Sequence, residues 1–142
     1  MKIAFFEIKD WEKAYLKKKL KNHKLKFFSE PLTKENVKEV RDHDVISVFI
    51  YSVADKNIIR SIPKLKMVAT RSTGYDHIDT EECKKKKITV CNVPSYGENT
   101  VAEHTFGLIL SLSRNIHKSY VRTLEDDFTI DGLTGFDLKG KT

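Results

Sequence analysis

The sequence predicts an α/β fold: a doubly wound, five-stranded parallel sheet followed by one long helix. Short apolar segments rich in β-branched and aromatic residues recur about every 22 residues, as strands do. Some are nearly continuous in hydrophobicity, which is typical of strands buried on both faces of a parallel sheet. Helix-like stretches separate them, and this alternation indicates βαβ units. The five segments begin near Ile3, Leu25, Val45, Met67 and Ile88.

Two helices are predicted between the first three strands. In the first, four apolar side chains can share one face among many lysines; they are Trp11, Ala14, Tyr15 and Leu20. In the second, Thr33 is the expected N-cap of a helix over residues 34–41. Val37 and Val40 would then face the core.

Two shorter helices are predicted further along. Asp55 can cap a segment that carries three isoleucines, and Pro63 ends that segment. A short helix around Thr80 to Lys86 follows Asp79. The three isoleucines are Ile58, Ile59 and Ile62.

The longest predicted helix runs from Glu98 to about Ile116. It is apolar almost all round, so we expect it to be buried on several sides at a domain or subunit junction. Residues 124–142 are glycine-containing and locally acidic, and indicate a surface segment. The apolar positions of the long helix are Val101, Ala102, Phe106, Leu108, Ile109, Leu110 and Leu112.

The composition, with 39% hydrophobic and 32% charged residues, is that of an ordinary globular chain. No apolar run approaches the ~18 residues of a transmembrane helix, so no membrane partner is expected. Cys83 and Cys91 are interpreted as reduced thiols of a cytoplasmic protein. The net charge of +6 indicates either a field for anions or nucleic acid, or lysine-covered helix surfaces. The second interpretation is preferred, because no nucleic-acid motif is present.

The turn after the fourth strand, Arg71 to Tyr75, is the first candidate for chemistry. Successive backbone N–H groups around Thr73 and Gly74 can form a concave anion site, suited to a carboxylate. The alternative is a plain turn in which Gly74 adopts a positive φ.

Two other strand ends carry hydroxyl groups. Tyr51 and Ser52 follow the third strand and can line the same crevice, or can simply be exposed. Tyr96 follows the fifth strand and can close over a small ligand, or can pack as a staple on the next helix. His77 and His104 match no metal-binding spacing and are interpreted as structural or hydrogen-bonding residues.

Three segments in order, residues 70–79, 92–96 and 100–104, resemble the D-isomer-specific 2-hydroxyacid dehydrogenases. The similarity is nearest to the D-lactate dehydrogenase branch and extends over the whole chain. It implies a flavodoxin-like substrate-binding domain over residues 1–97. It also implies that residues 98–142 contain a hinge helix and the start of an NAD-binding domain, with Gly140 to Thr142 beginning its first strand.

The resemblance further implies a cytoplasmic homodimer that associates through the helix over residues 98–116. The backbone amides of Thr73 and Gly74 would bind the substrate carboxylate, and Tyr96 and Tyr51 would contact the substrate. Thr100 would lie near the nicotinamide of NAD. His77 stands where many members have asparagine.

The catalytic arginine, glutamate and histidine of the family are expected beyond Thr142, so no catalytic residue is assigned within this chain. We expect the whole enzyme to interconvert a D-2-hydroxy acid and a 2-oxo acid such as pyruvate. The 142 residues alone are expected to be inactive and not to bind NAD tightly. The alternative is a free-standing flavodoxin-like module that binds anions or a protein partner.

Overall fold

The computed structural model describes residues 1–141 of the chain. These residues form two compact units, of which the first spans Met1–Tyr96 and the second begins at Gly97. Among the helices of residues 1–141, none has the length and apolarity that a membrane crossing requires.

The first unit is built on a five-stranded sheet, in which every strand pair is parallel. The strand order β2-β1-β3-β4-β5 is that of flavodoxin-like folds, so the predicted fold class is confirmed. The order reverses between β1 and β3, which is therefore the topological switch point. The strands are β1 (Lys2–Phe5), β2 (Lys24–Phe27), β3 (Val45–Val48), β4 (Met67–Thr70) and β5 (Thr89–Cys91).

The core lies on both faces of this sheet because side chains alternate along each strand. Ala4, Ile46 and Val68 belong to the larger apolar cluster on one face. Ile3 and Val45 belong to the smaller cluster on the other. All four residues of β3 are buried, as expected for a segment that is nearly continuous in hydrophobicity. The strand β2 forms one edge of the sheet.

The first helix, α1 (Asp10–Lys19), packs on the smaller cluster through Leu16, with Leu20 just beyond its end. The predicted apolar face is therefore wrong for three of its four residues, and only Leu20 packs as expected. Trp11 is 72% exposed and Tyr15 is 61% exposed, and Ala14 is exposed as well. Leu16 and Leu20 are four residues apart and share one face, whereas Tyr15 is turned about 100° away from Leu16.

The predicted helix over residues 34–41 is only a 3₁₀ turn, Val37–Val40, although Val37 and Val40 are buried as expected. Thr33 is not its N-cap. The side chain of Asn36 accepts a hydrogen bond from the Thr33 N–H at 2.9 Å and donates to the carbonyl oxygen of Pro31 at 2.8 Å. These local bonds replace those of a first helical turn.

The two other helices of the first unit are α2 (Lys56–Arg60) and α3 (Thr80–Lys85). The cap predicted for α2 is confirmed, and the structure shows an equivalent cap on α3. Asp55 accepts a hydrogen bond from the N–H of Ile58 at 2.9 Å, and Asp79 accepts one from the N–H of Glu82 at 2.8 Å.

The second unit contains two helices, α4 (Glu98–Ser113) and α5 (Ile116–Leu124). The single helix predicted to reach Ile116 is interrupted because Asn115 adopts a left-handed conformation, with φ of 53°. Its side-chain amide donates to the carbonyl oxygens of Leu133 and Thr134 in the following segment. Asparagine tolerates this conformation better than most residues.

Residues 125–141 form no helix or strand, and they return to the end of α4. The N–H of Phe136 donates to the carbonyl oxygen of Ser113 at 2.9 Å. A Cβ atom at Gly135 would lie 2.0 Å from that same oxygen, so this approach requires glycine. Gly140 lies in a turn, and Thr142, the last residue of the strand start predicted from the resemblance, is outside the described residues.

The apolar side chains of α4 are exposed, among them Val101, Phe106, Leu108 and Leu112. The burial predicted for this helix is therefore not seen. Association of two chains through residues 98–116 stays a prediction.

Candidate functional site

A crevice lies at the carboxyl edge of the sheet, where β1, β3 and β4 end. Its volume is about 380 Å³. In open α/β sheets, ligands bind at this edge beside the switch point. Tyr96, predicted to stand at the mouth of the crevice, is one of its lining residues. The others are Glu7, Lys9, Trp11, Glu12, Phe49 and Arg71.

Arg71 ties the ends of three strands together. Its Nη2 donates to the carbonyl oxygens of Phe6 at 2.7 Å and Glu7 at 3.1 Å, just after β1. Its Nη1 donates to the hydroxyl of Ser47 in β3 at 3.0 Å. Burial lowers the pKa of Arg71, but arginine stays protonated at any physiological pH. The guanidinium is therefore a fixed cation whose hydrogen bonds are largely used within the fold.

A chain of hydroxyl groups holds the turn that follows Arg71. The Ser72 hydroxyl donates to the carbonyl oxygen of Gly74 at 2.7 Å, and Thr70 Oγ1 lies 2.5 Å from Ser72 Oγ. His77 Nε2 lies 3.2 Å from Thr70 Oγ1. Because a carbonyl can only accept, the Ser72 proton is committed to Gly74. Thr70 then donates to Ser72, and His77 donates through Nε2–H.

Thr73 and Gly74, the predicted carboxylate-binding residues, are exposed in this turn and are not among the residues that line the crevice. The Asn92 side-chain amide donates to the carbonyl oxygen of Thr73 at 2.9 Å. Within residues 1–141, the backbone N–H groups of Thr73 and Gly74 have no hydrogen-bond partner. Two exposed donors in a firmly held turn are what an anion requires.

The alternative interpretation of Gly74, a turn that needs a positive φ, is wrong. The glycines with positive φ are Gly132 and Gly140. A Cβ atom at position 74 would contact only the carboxylate of Asp76, at 3.9 Å.

Tyr51 and Ser52 have different environments. The ring of Tyr51 is 75% exposed, whereas Ser52 is fully buried. The Ser52 hydroxyl donates to the Glu7 carboxylate and accepts from the N–H of Leu32. Neither residue is among those that line the crevice, so that expectation is wrong for both. Tyr51 is exposed at the strand end, and the Ser52 hydroxyl supports the loop instead.

Thr100 lies in the first turn of α4, in the second unit, and its predicted place beside a nicotinamide stays a prediction. Cys83 is buried, Cys91 is half-buried, and both are free thiols. Within residues 1–141, no three His, Cys, Asp or Glu side chains are grouped in a way that could hold a metal ion.

Sequence reasoning did not identify Glu7 as part of this site. Its carboxylate accepts hydrogen bonds from residues 42 to 45 positions later in the chain. The only local signal was an acidic residue between the apolar Phe6 and Ile8, where a buried strand ends.

Comparison with known proteins assigns the chain to a family. Residues 3–135 match the family model described as the catalytic domain of D-isomer specific 2-hydroxyacid dehydrogenases. Because this match covers nearly the whole chain, the chain belongs to that family, as the sequence resemblance implied.

Individual relatives agree with the family assignment. The chain is 38% identical to 2-hydroxyacid dehydrogenase homolog 1 of Schizosaccharomyces pombe and 32% identical to the D-lactate dehydrogenase of Escherichia coli. Each alignment covers 100% of this chain and 44% of the relative. The chain thus spans less than half the length of the curated relatives it matches.

A solved structure gives the same result. The D-lactate dehydrogenase from Aquifex aeolicus, complexed with NAD and lactic acid, superimposes with a TM-score of 0.90 at 32% identity. The match covers 96% of this chain and 41% of that one.

Proposed function

We propose that this chain is the substrate-binding part of an NAD-dependent D-2-hydroxyacid dehydrogenase, which interconverts a D-2-hydroxy acid and a 2-oxo acid. D-lactate and pyruvate are the first pair to test. The observation that carries this proposal is the pair of exposed, unpartnered amides of Thr73 and Gly74 at the carboxyl edge of a flavodoxin-like sheet. Family membership supplies the class of reaction.

In this proposal, the amides of Thr73 and Gly74 donate hydrogen bonds to the substrate carboxylate. Such bonds to an ionised acceptor are stronger than bonds between neutral groups. The Ser72 hydroxyl and the Asn92 amide hold the turn from both sides, so little ordering is required on binding. Tyr96 and Tyr51 contact the rest of the substrate from the neighbouring strand ends.

Hydride transfer also requires a bound nicotinamide and a proton donor within reach of the substrate. The 142 residues contain no Gly-x-Gly-x-x-Gly fingerprint, so these residues alone do not fit a dinucleotide site. Thr100 is the one contact proposed for the nicotinamide. We therefore expect the 142-residue chain to bind a small acid without oxidising or reducing it.

The experiment compares the full-length protein with the 142-residue chain. NADH oxidation is measured with pyruvate and a panel of longer 2-oxo acids, and the product is analysed for D stereochemistry. We expect turnover by the full-length protein and only the blank rate from the chain alone. The proposal fails if the full-length protein reduces no 2-oxo acid, or if the chain alone turns over.

A further proposal concerns the assembly of the protein. The proposed assembly is a cytoplasmic homodimer that associates through residues 98–116. The exposed apolar side chains of α4 support it, because large exposed apolar patches mark association surfaces. Sedimentation of the full-length protein over a concentration series tests it, and a monomer at every concentration contradicts it.

A second candidate function is a free-standing flavodoxin-like module that binds an anion or a protein partner. Exposed apolar residues on α5, namely Ile116, Tyr120, Val121 and Leu124, favour the protein partner. Reduction of a 2-oxo acid by the full-length protein would rule out this second candidate function.

A further inference from the structure

Glu7 has an unusual backbone conformation for its residue type. It is the second residue after β1, and its φ of 54° is in the left-handed region. Residues other than glycine, asparagine and aspartate rarely adopt this conformation. Contacts made by Glu7 must therefore hold the chain there.

The carboxylate of Glu7 makes those contacts with a single loop, residues 49–52, which follows β3. Oε2 accepts hydrogen bonds from the N–H groups of Phe49 at 3.1 Å and Ser52 at 2.9 Å. It also accepts from the Ser52 hydroxyl. Oε1 accepts from the N–H of Tyr51 at 2.9 Å. The loop is folded round this carboxylate in the way that backbone nests enclose anions.

Tyr51 depends on this loop for its position. Its side chain is mostly exposed and makes no hydrogen bond to another group within residues 1–141. Its backbone N–H is bonded to Glu7. The place of the ring is therefore set by the backbone to which it is attached.

Glu7 is also linked to the turn that carries the carboxylate-binding amides. Its carbonyl oxygen accepts a hydrogen bond from Arg71 Nη2 at 3.1 Å, and Arg71 stands two residues before Thr73. One residue thus connects the loop after β3 with the turn after β4, across the switch point of the sheet.

We propose that Glu7 is a positioning residue for substrate binding, which places Tyr51 by holding the backbone of residues 49–52 and does not itself touch the substrate. The inference rests on the proposed function, since Tyr51 is assigned to the substrate there. It adds a residue that the family resemblance did not supply.

The first test uses steady-state kinetics of the full-length protein with its best 2-oxo acid. Glu7→Gly removes the carboxylate but keeps the left-handed backbone, which glycine adopts freely. We expect KM to rise about tenfold and kcat to change less than twofold, because binding is weakened without loss of a reacting group. Tyr51→Ala should give a similar rise, and the double variant should be no worse than Tyr51→Ala. Additive effects of the two substitutions on KM would overturn the proposal.

Two controls separate positioning from general destabilisation. Lys87→Gly is matched to Glu7→Gly, because Lys87 is also left-handed, with φ of 57°, and lies at the end of α3. Its KM should be that of the wild type. Glu39→Gln removes a surface carboxylate that pairs with Lys26, and its KM should also be unchanged.

Chemical rescue supplies a readout that an unspecific loss of structure would not give. Acetate or formate can occupy the place of the missing carboxylate in Glu7→Gly. We expect either acid to lower the KM of that variant towards the wild-type value. The same concentrations added to the wild type measure any competition with the substrate. If the added acid lowers the KM of Glu7→Gly no more than it changes the KM of the wild type, the proposal is overturned.

A measurement that requires no turnover distinguishes a failure of this inference from a failure of the proposed function. Amide hydrogen exchange at Phe49, Tyr51 and Ser52 should be at least about tenfold faster in Glu7→Gly than in the wild type. It should be unchanged in Lys87→Gly. If the full-length protein reduces no 2-oxo acid, the proposed function fails, and these exchange rates alone decide whether Glu7 holds the loop. Unchanged exchange overturns the inference whatever the activity.

Discussion

The side-chain amide of Asn92 donates a 2.9 Å hydrogen bond to the carbonyl oxygen of Thr73 and so ties the end of β5 to the turn after β4. The N–H of Val93 reinforces this link by donating to the carbonyl oxygen of Ser72 at 3.1 Å. Both bonds use carbonyl groups of the turn and leave the N–H groups of Thr73 and Gly74 unpaired. The turn is thereby fixed in place with its donors still available.

Asn92→Ala should therefore weaken substrate binding, because the substrate must then order a turn that the Asn92 amide now holds. The loss of one such hydrogen bond is worth about 1 kcal/mol, or about a fivefold rise in KM. Steady-state kinetics of the full-length protein measure it. Asn57→Ala, on the surface of α2, is the control and should leave KM unchanged. An unchanged KM in Asn92→Ala would mean that the turn does not need this support.

Gly74→Ala should weaken substrate binding without lowering the stability of the protein. The backbone at Gly74 is not left-handed, and the added Cβ meets only Asp76 at 3.9 Å. The free energy of unfolding should therefore stay constant or rise by about 0.4–1 kcal/mol. The methyl group would stand beside the unpaired N–H, and KM for the 2-oxo acid should rise. A destabilised protein, or an unchanged KM, would contradict this interpretation of the turn.

Gly135→Ala, unlike Gly74→Ala, should disturb the local structure. Its Cβ would lie 2.0 Å from the carbonyl oxygen of Ser113, which is backbone and cannot move aside cheaply. We expect residues 125–141 to lose their contact with α4 and to be cut faster by protease. Gly107→Ala on the exposed part of α4 has nothing within 4 Å of its Cβ and is the control. Equal cleavage rates for the two variants would show that the close approach does not matter.

Arg71→Lys should destabilise the first unit by about 2–4 kcal/mol. A lysine ammonium cannot reproduce the planar fork that reaches two carbonyl oxygens and a hydroxyl group, and buried acceptors without a donor are costly. Urea unfolding measures the loss. Arg41→Lys, on the exposed surface, should change the midpoint little. Equal midpoints for the two variants would argue against a bracing role for Arg71.

The pair of Arg60 and Glu82 predicts a pH dependence of stability. Hydrogen bonds from the guanidinium, at 2.7 and 3.2 Å, hold the pKa of Glu82 below its ordinary value of 4.5. The unfolded chain then binds this proton more readily than the folded one. The stabilisation is therefore fully present above pH 4.5 and is lost as the pH falls through the folded-state pKa.

The measurement compares urea midpoints of the wild type and Glu82→Gln from neutral to acidic pH. Glu82→Gln should be less stable at neutral pH, and the two midpoints should converge in acid. Glu81→Gln, at an exposed position on the same helix, should follow the wild type throughout. A gap that stays constant with pH would show that the pair does not titrate as argued.

The sheet was predictable from sequence because each strand is a compact apolar run, and the cap at Asp55 because its side chain bonds to an N–H only three residues later. The predictions were wrong where a distant or competing contact decides the structure. The face of α1 is set by the sheet beneath Leu16. The helix expected to reach Ile116 is interrupted at Asn115, which bonds to residues 18 and 19 positions later.

The candidate site likewise has features that the local sequence predicts and features that only distant contacts decide. A glycine-containing turn after a strand is visible in the sequence, and so are Tyr51 and Tyr96 at strand ends. The burial of Ser52 and the role of Glu7 arise from contacts 20 to 45 residues apart. No local pattern encodes those contacts, because they exist only once β1 and β3 are neighbours.

The outer strand β2, Lys24–Phe27, has a consequence for the behaviour of the first unit in concentrated solution. Its backbone has a strand partner on one side only, so its free edge offers hydrogen-bonding groups to any passing chain. Lys24 is exposed at that edge, whereas Lys26 is paired with Glu39. A second copy would bring its own Lys24 charge against the first. Exposed lysines on an edge strand discourage this kind of pairing. Replacing Lys24 with threonine would keep the strand but remove the repulsion, and would make fibrous aggregates easier to form.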